Sequence, residues 1–125
     1  MARVLIVDDD EAVLEVTAAI LKRCGHQVLT AENAEAAVAL LKDSEVDLIV
    51  LDVVLPGQGG IELLMDIRKE SREIPVIIMS GKVRTELLPF KSLAQQFGAA
   101  CILTKPFTSS ELLEAVDAAL KASCA

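Results

Sequence analysis

The chain contains no tryptophan and no tyrosine, and three phenylalanines are its whole aromatic content, so it is nearly invisible at 280 nm. Its three cysteines, Cys24, Cys101 and Cys124, are odd in number and lack both a CxxC pair and metal-ligand spacing. That excludes a disulfide framework or a cysteine metal site and points to reduced cytosolic thiols, two packed and Cys124 in the tail. The single histidine, His26, follows Gly25 and is expected to be a surface loop residue without a role. Positive charge is in deficit, with 12 Lys and Arg against 19 Asp and Glu, a net charge of −7. Such a surface is repelled by DNA phosphates and anionic lipid, so neither nucleic acid nor membrane is an expected partner. No apolar run approaches the roughly 20 residues of a spanning helix. Asp8 interrupts the N-terminal apolar stretch too early for a signal peptide, which makes the cytoplasm the expected location. There is no linker, repeat or low-complexity segment.

What is present is apolar: 53% of residues are hydrophobic and mean hydropathy is +0.49. With no membrane span to absorb it, that excess implies a core buried on two faces, within a single domain over 1–125. Arg3–Val7 reads as a buried strand ending in Asp8-Asp9-Asp10. A helix follows over 11–24, with Val13, Thr17, Ile20 and Leu21 on its inner face and Gly25 as its stop. Gln27–Ala31 is a short strand, and 34–42 an Ala-rich helix with Val38 and Leu41 turned inward. The third strand spans 47–51, and a Pro-Gly-Gln-Gly-Gly loop leads to a helix over 61–70. A fourth strand, 76–79, ends at Ser80-Gly81, and a helix within 83–97 is interrupted by Pro89. The fifth strand, 100–103, ends in Thr104-Lys105-Pro106. The last helix opens with the capping box Thr108-Ser109-Ser110-Glu111 and presents Leu112, Val116, Ala119 and Leu120, leaving a five-residue tail. Strands alternating with helices make an α/β fold, a doubly wound five-stranded parallel sheet carrying five helices.

In a parallel sheet every strand ends on the same edge, where ligands of open α/β sheets bind. That edge gathers Asp8, Asp9, Asp52, Ser80 and Lys105 from almost the whole length of the chain. Each has an ordinary structural explanation alone: a helix cap for Asp8 or Asp10, a turn for Asp52 or Ser80, a solvated Lys105. Their coincidence at four strand ends does not. Two unpaired carboxylates about 5 Å apart repel by roughly 3 kcal/mol at an effective dielectric near 20. Several in one cleft favour a hard divalent cation, and Mg²⁺ suits one or two carboxylates, retained waters and a bridged phosphate. A carboxylate nucleophile beside Mg²⁺, a lysine and a hydroxyl is fitted to phosphoryl transfer onto aspartate.

With these motifs in place, the chain resembles the receiver domains of two-component response regulators. The resemblance rests on Val4-Leu5-Ile6-Val7-Asp8-Asp9-Asp10, Asp47-Leu48-Ile49-Val50-Leu51-Asp52 with Leu55-Pro56-Gly57 and Gly60, Met79-Ser80-Gly81, and Lys105-Pro106-Phe107. It implies a flavodoxin-like sheet of order 2-1-3-4-5. It also implies that Asp52 is both the phosphoacceptor and a Mg²⁺ ligand, that Asp9 is a direct Mg²⁺ ligand, and that Asp8 holds the metal through water. The backbone carbonyl of Val54 would be a further ligand, Ser80 the switch hydroxyl and Lys105 the lysine that pairs with the phosphoryl group. The implied donor is a histidine kinase or histidine phosphotransfer protein. The implied output is a surface change read by a downstream protein partner or by an output domain outside this chain, and homodimers are common in the family. The N-terminal start, close before the first strand, is read as a stand-alone domain.

Some positions depart from the family pattern. Ile102 stands where the aromatic switch residue is usual, the 80–98 segment is longer with Pro89 inside, and Gly59 replaces a common Asp. Val54 and Lys82 flank the phosphoryl site where the family tunes phosphate lifetime, and an apolar Val54 cannot position water, so autodephosphorylation is expected to be slow. Three other readings compete. An aspartyl-nucleophile phosphatase needs an acid two residues past Asp52, where Val54 stands. A dinucleotide or flavin binder lacks GxGxxG after the first strand. A phosphate-independent scaffold leaves the intact acceptor set unexplained.

Overall fold

The computed structural model describes residues 2–52, 66, 74–80, 99–104 and 107–124. The described elements are β1 (Arg3–Val7), α1 (Glu11–Arg23), β2 (Gln27–Ala31), α2 (Ala34–Asp43), β3 (Leu48–Asp52), β4 (Val76–Ser80), β5 (Ala99–Thr104) and α3 (Ser109–Cys124). The helices expected over 61–70 and 83–97, and the loop over 56–60, lie outside the described residues.

The strands form one sheet of order β2-β1-β3-β4-β5, and each neighbouring pair is parallel. Because side chains alternate along a strand, consecutive residues feed opposite faces. Val4, Ile6, Leu48, Val50, Ile77 and Met79 pack with Leu14, Ala18 and Leu21 of α1 and Leu112 and Val116 of α3. Leu5, Val7, Ile49, Leu51, Val76 and Ile78 pack on the other side with Ala34 and Ala37 of α2. Two cores sharing one sheet explain why β3 is buried at every position and why its sequence shows no polar alternation. β2 lies at one edge of the sheet and is partly exposed.

Several boundaries and faces differ from expectation. β3 starts at Leu48; Asp47, just before it, donates its N–H to the Arg3 carbonyl at 2.8 Å and accepts the Arg3 N–H on Oδ2 at 2.9 Å. Arg3 also donates from its guanidinium to Gln27 Oε1 at 3.1 Å and to the Glu45 carbonyl at 3.2 Å, tying β1 to both flanking segments. Asp52 and Ser80 are the last residues of their strands and not the first beyond them. β5 is longer than expected, with its register against β4 shifting between Val76 and Ile77. The α1 stripe is Leu14, Thr17, Ala18 and Leu21; Val13 and Ile20 are half-buried at its margins. Ala18 carries little apolar signal in sequence, yet its small side chain belongs to the buried face. In α2 the fully buried positions are likewise alanines, with Val38 and Leu41 partly buried against them.

Helix ends follow their chemistry closely. Gly25 takes φ 91, a left-handed conformation cheap for glycine. Its N–H donates to the Lys22 carbonyl at 3.0 Å, and the His26 N–H to that of Leu21 at 3.1 Å, the paired bonds of a Schellman stop. His26 also has a structural task, against expectation: its Nδ1 accepts the Ala2 N–H at 3.3 Å. Cys24, expected to pack, is exposed at this helix end. The capping box of α3 is formed in both directions, from Glu111 N–H to Thr108 Oγ1 at 3.1 Å and from Thr108 N–H to Glu111 Oε1 at 2.8 Å. α3 continues through Cys124, so the residues expected as a tail are mostly helix.

Candidate metal and phosphoacceptor site

Asp8 follows the last residue of β1, and Asp52 ends β3. The register pairs Val7 with Leu51, so the next step along both strands brings these aspartates side by side. Asp9 begins the turn into α1. One carboxylate oxygen from each of Asp8, Asp9 and Asp52 lies within 4.8 Å of the others. Asp8 is fully buried, Asp52 is 5% exposed, and Asp9 faces solvent. Asp8 is fixed through its backbone N–H, which donates to the Ala31 carbonyl at 3.1 Å, and through Oδ1, which accepts the Asp10 N–H at 2.9 Å. The Asp10 carboxylate is not one of the clustered donors; it caps α1, accepting the Ala12 N–H at 2.9 Å. Of three consecutive aspartates, then, two supply the cluster and the third starts the helix.

At that spacing a pair of carboxylates repels by about 3 kcal/mol at an effective dielectric near 20. Two of the three are buried, where solvent screens them least. The donors are all hard oxygens, without histidine or cysteine, and among the described residues this is the one cluster that could hold a metal. The set fits Mg²⁺, which binds through few carboxylates and retains waters.

The remaining expected residues are placed in part. Ser80 ends β4 one step beyond Met79, the partner of Asp52, and pairs with Thr104 on β5. Ser80 is therefore brought to the same edge by its backbone. Ile102 lies in β5 opposite Ile78. Lys105, Val54 and Lys82 lie outside the described residues. An open depression of about 580 Å³ between α1 and the start of α2 involves Leu14, Ala18, Ala31, Glu11, Glu15 and Glu32. It shares no residue with the aspartate cluster. None of the described helices is long and apolar enough to cross a membrane.

A parallel sheet in the order above, with clustered aspartates at its carboxyl edge, defines a receiver-type α/β domain. Residues 4–117 match the response regulator receiver domain, and the chain belongs to that family. It is 38% identical over 122 residues to protein PilH of Pseudomonas aeruginosa, covering 96% of this chain and 98% of that one. To the phosphate regulon transcriptional regulatory protein PhoB of the same organism it is 36% identical over 120 residues, covering 94% of this chain but 51% of PhoB. Among solved structures, a CheY-like response regulator receiver domain protein from Methanospirillum hungatei JF-1 superposes with a TM-score of 0.91 at 30% identity. That match covers 98% of this chain and 96% of the other. The chain is thus a phosphoreceiver-type signalling domain, and the phosphatase and scaffold readings are not favoured.

Proposed function

We propose that the chain is a single receiver domain over 1–125 that takes a phosphoryl group onto Asp52 from a phosphohistidine of a kinase or phosphotransfer protein. The observation that carries this is the convergence of Asp8, Asp9 and Asp52 within 4.8 Å at the carboxyl edge of a receiver-family sheet. A carboxylate oxygen of Asp52 attacks phosphorus in line. The new bond is P–O, the broken bond is the donor's P–N, and the imidazole leaves neutral, its freed nitrogen taking up a proton from solvent unless the other ring nitrogen already carries one. Mg²⁺ would be held by Asp9 and Asp52, by Asp8 through water, and by the Val54 backbone carbonyl. When bound, the ion neutralises charge on the transferring oxygens. Lys105 pairs with the phosphoryl group, and the Ser80 hydroxyl donates to it. Hydrolysis later returns the carboxylate and inorganic phosphate. Val54 and Lys82 set the rate of that step, and the apolar Val54 keeps it slow because it cannot orient the attacking water.

The output is a surface change around Ser80 and the Ile102 position, without an aromatic ring flip. It is read by a downstream protein partner or an output domain outside this chain, in the cytoplasm, and homodimerisation is one form the readout takes. The reading is tested by incubating the protein with acetyl phosphate, with and without Mg²⁺, and recording intact mass. A single phosphoryl adduct that requires Mg²⁺ and persists longer than about a minute after donor removal is expected, on the argument that water activation is the slow step. No adduct from acetyl phosphate or a phosphohistidine protein would contradict it. Steady donor consumption without adduct would instead support an aspartyl phosphatase.

A further inference from the structure

We propose that Asp10 is a positioning residue for the metal site, acting through the α1 cap and not through its charge. The inference rests on the reading above, that Asp8 and Asp9 hold Mg²⁺. Asp10 is tied to the helix twice and to the cluster once. Its side chain accepts the Ala12 N–H at 2.9 Å, and its carbonyl accepts the Leu14 N–H at 3.0 Å. Its own N–H donates to Asp8 Oδ1 at 2.9 Å. The cap holds Asp10 in an extended conformation, φ −93 and ψ 111, whereas helical geometry begins at Glu11. With the cap in place, the peptide joining Asp9 to Asp10 has a fixed orientation, and its N–H is aimed at one oxygen of Asp8.

The consequence is an assignment of oxygens. Asp8 Oδ1 accepts the Asp10 backbone N–H, which restrains the carboxylate that faces Asp9 and Asp52 in the cluster. Asp9 lies on the same short strap, between a residue anchored to Ala31 through its N–H and a residue anchored to the helix. Both acids are therefore presented to a cation by a segment whose far end is the N-cap. Ligands held by such a supporting shell bind tighter than ligands that must be ordered on binding. The Asp10 carboxylate itself is not among the clustered donors.

Isothermal titration of Mg²⁺ into the full chain tests this with Asp10→Ala, Asp10→Asn and Asp10→Ser. Alanine removes the acceptor, asparagine and serine keep one, and only aspartate keeps the charge. The expected result is a dissociation constant raised about three- to tenfold in Asp10→Ala, the scale of a lost cap. Asp10→Asn and Asp10→Ser should stay within about twofold of the parent. A purely structural cap would lower the melting temperature of the metal-free Asp10→Ala protein and leave its Mg²⁺ affinity unchanged, which would overturn the proposal. Equal weakening in all three variants would also overturn it, because charge would then be the cause. A parent protein that binds no Mg²⁺ would overturn the metal reading itself, a result distinct from parent-like affinity in Asp10→Ala.

Discussion

Asp52→Asn is expected to abolish the phosphoryl adduct, with the rate of modification falling by roughly 10³-fold or more, the scale seen when a nucleophile is removed. The substitution keeps size and shape at a position that is 5% exposed, so the fold is expected to stand. What it removes is the nucleophile, since an amide oxygen cannot form a stable bond to phosphorus under these conditions. Asp8 and Asp9 are poor substitutes although their oxygens lie within 4.8 Å of those of Asp52. One oxygen of Asp8 is engaged by the Asp10 N–H and its side chain is fully buried, while Asp9 sits on the turn, off the end of a strand. Intact mass of the variant, with acetyl phosphate and Mg²⁺, checks the expectation. An adduct of undiminished yield would place the acceptor elsewhere.

Ile6→Ala is expected to destabilise the fold by about 3–5 kcal/mol, lowering the melting temperature by roughly 10–20 °C. Ile6 is fully buried in β1, between β2 and β3, and belongs to the core shared with α1 and α3. A cavity there cannot collapse easily, because strands flank it on both sides and helices close the face. Val28 supplies the contrast. It pairs with Val4 on the edge strand and is half-buried against the same core. Val28→Ala should cost only about 1 kcal/mol, since fewer contacts are lost and solvent can fill the gap. Urea denaturation of both variants measures the difference. Equal losses would mean that β1 is less central than its place in the sheet implies.

The sheet was legible because its strands are short apolar runs of Val, Ile and Leu, each ended by an acid, a serine or a threonine. Burial on both faces removes polar alternation and leaves that run as the signal, and β1, β3 and β4 show it most clearly. The acidic cluster was legible for a related reason: parallel strands must end on one edge, so Asp8 and Asp52 are brought together however far apart they lie in sequence. Less legible were positions where small residues do the packing. Ala18, Ala34 and Ala37 are buried, yet alanine fits a helix surface equally well, so the α1 stripe was read with Val13 and Ile20 in it. Roles carried by backbone or ring nitrogen geometry were hidden too. Nothing in the Gly25-His26 pair announces that the imidazole accepts the Ala2 N–H. The capping box at Thr108 was visible because both of its bonds depend on side-chain identity at a fixed spacing.

The most direct test of the central claim is to trap the acyl phosphate and locate it. The protein, phosphorylated in the presence of Mg²⁺, is treated with borohydride, which reduces an aspartyl phosphate to homoserine, and the peptides are sequenced by mass spectrometry. Homoserine at position 52 alone is the expected result. Homoserine at position 8 or 9, or no conversion in protein that carries a phosphoryl group, would contradict it.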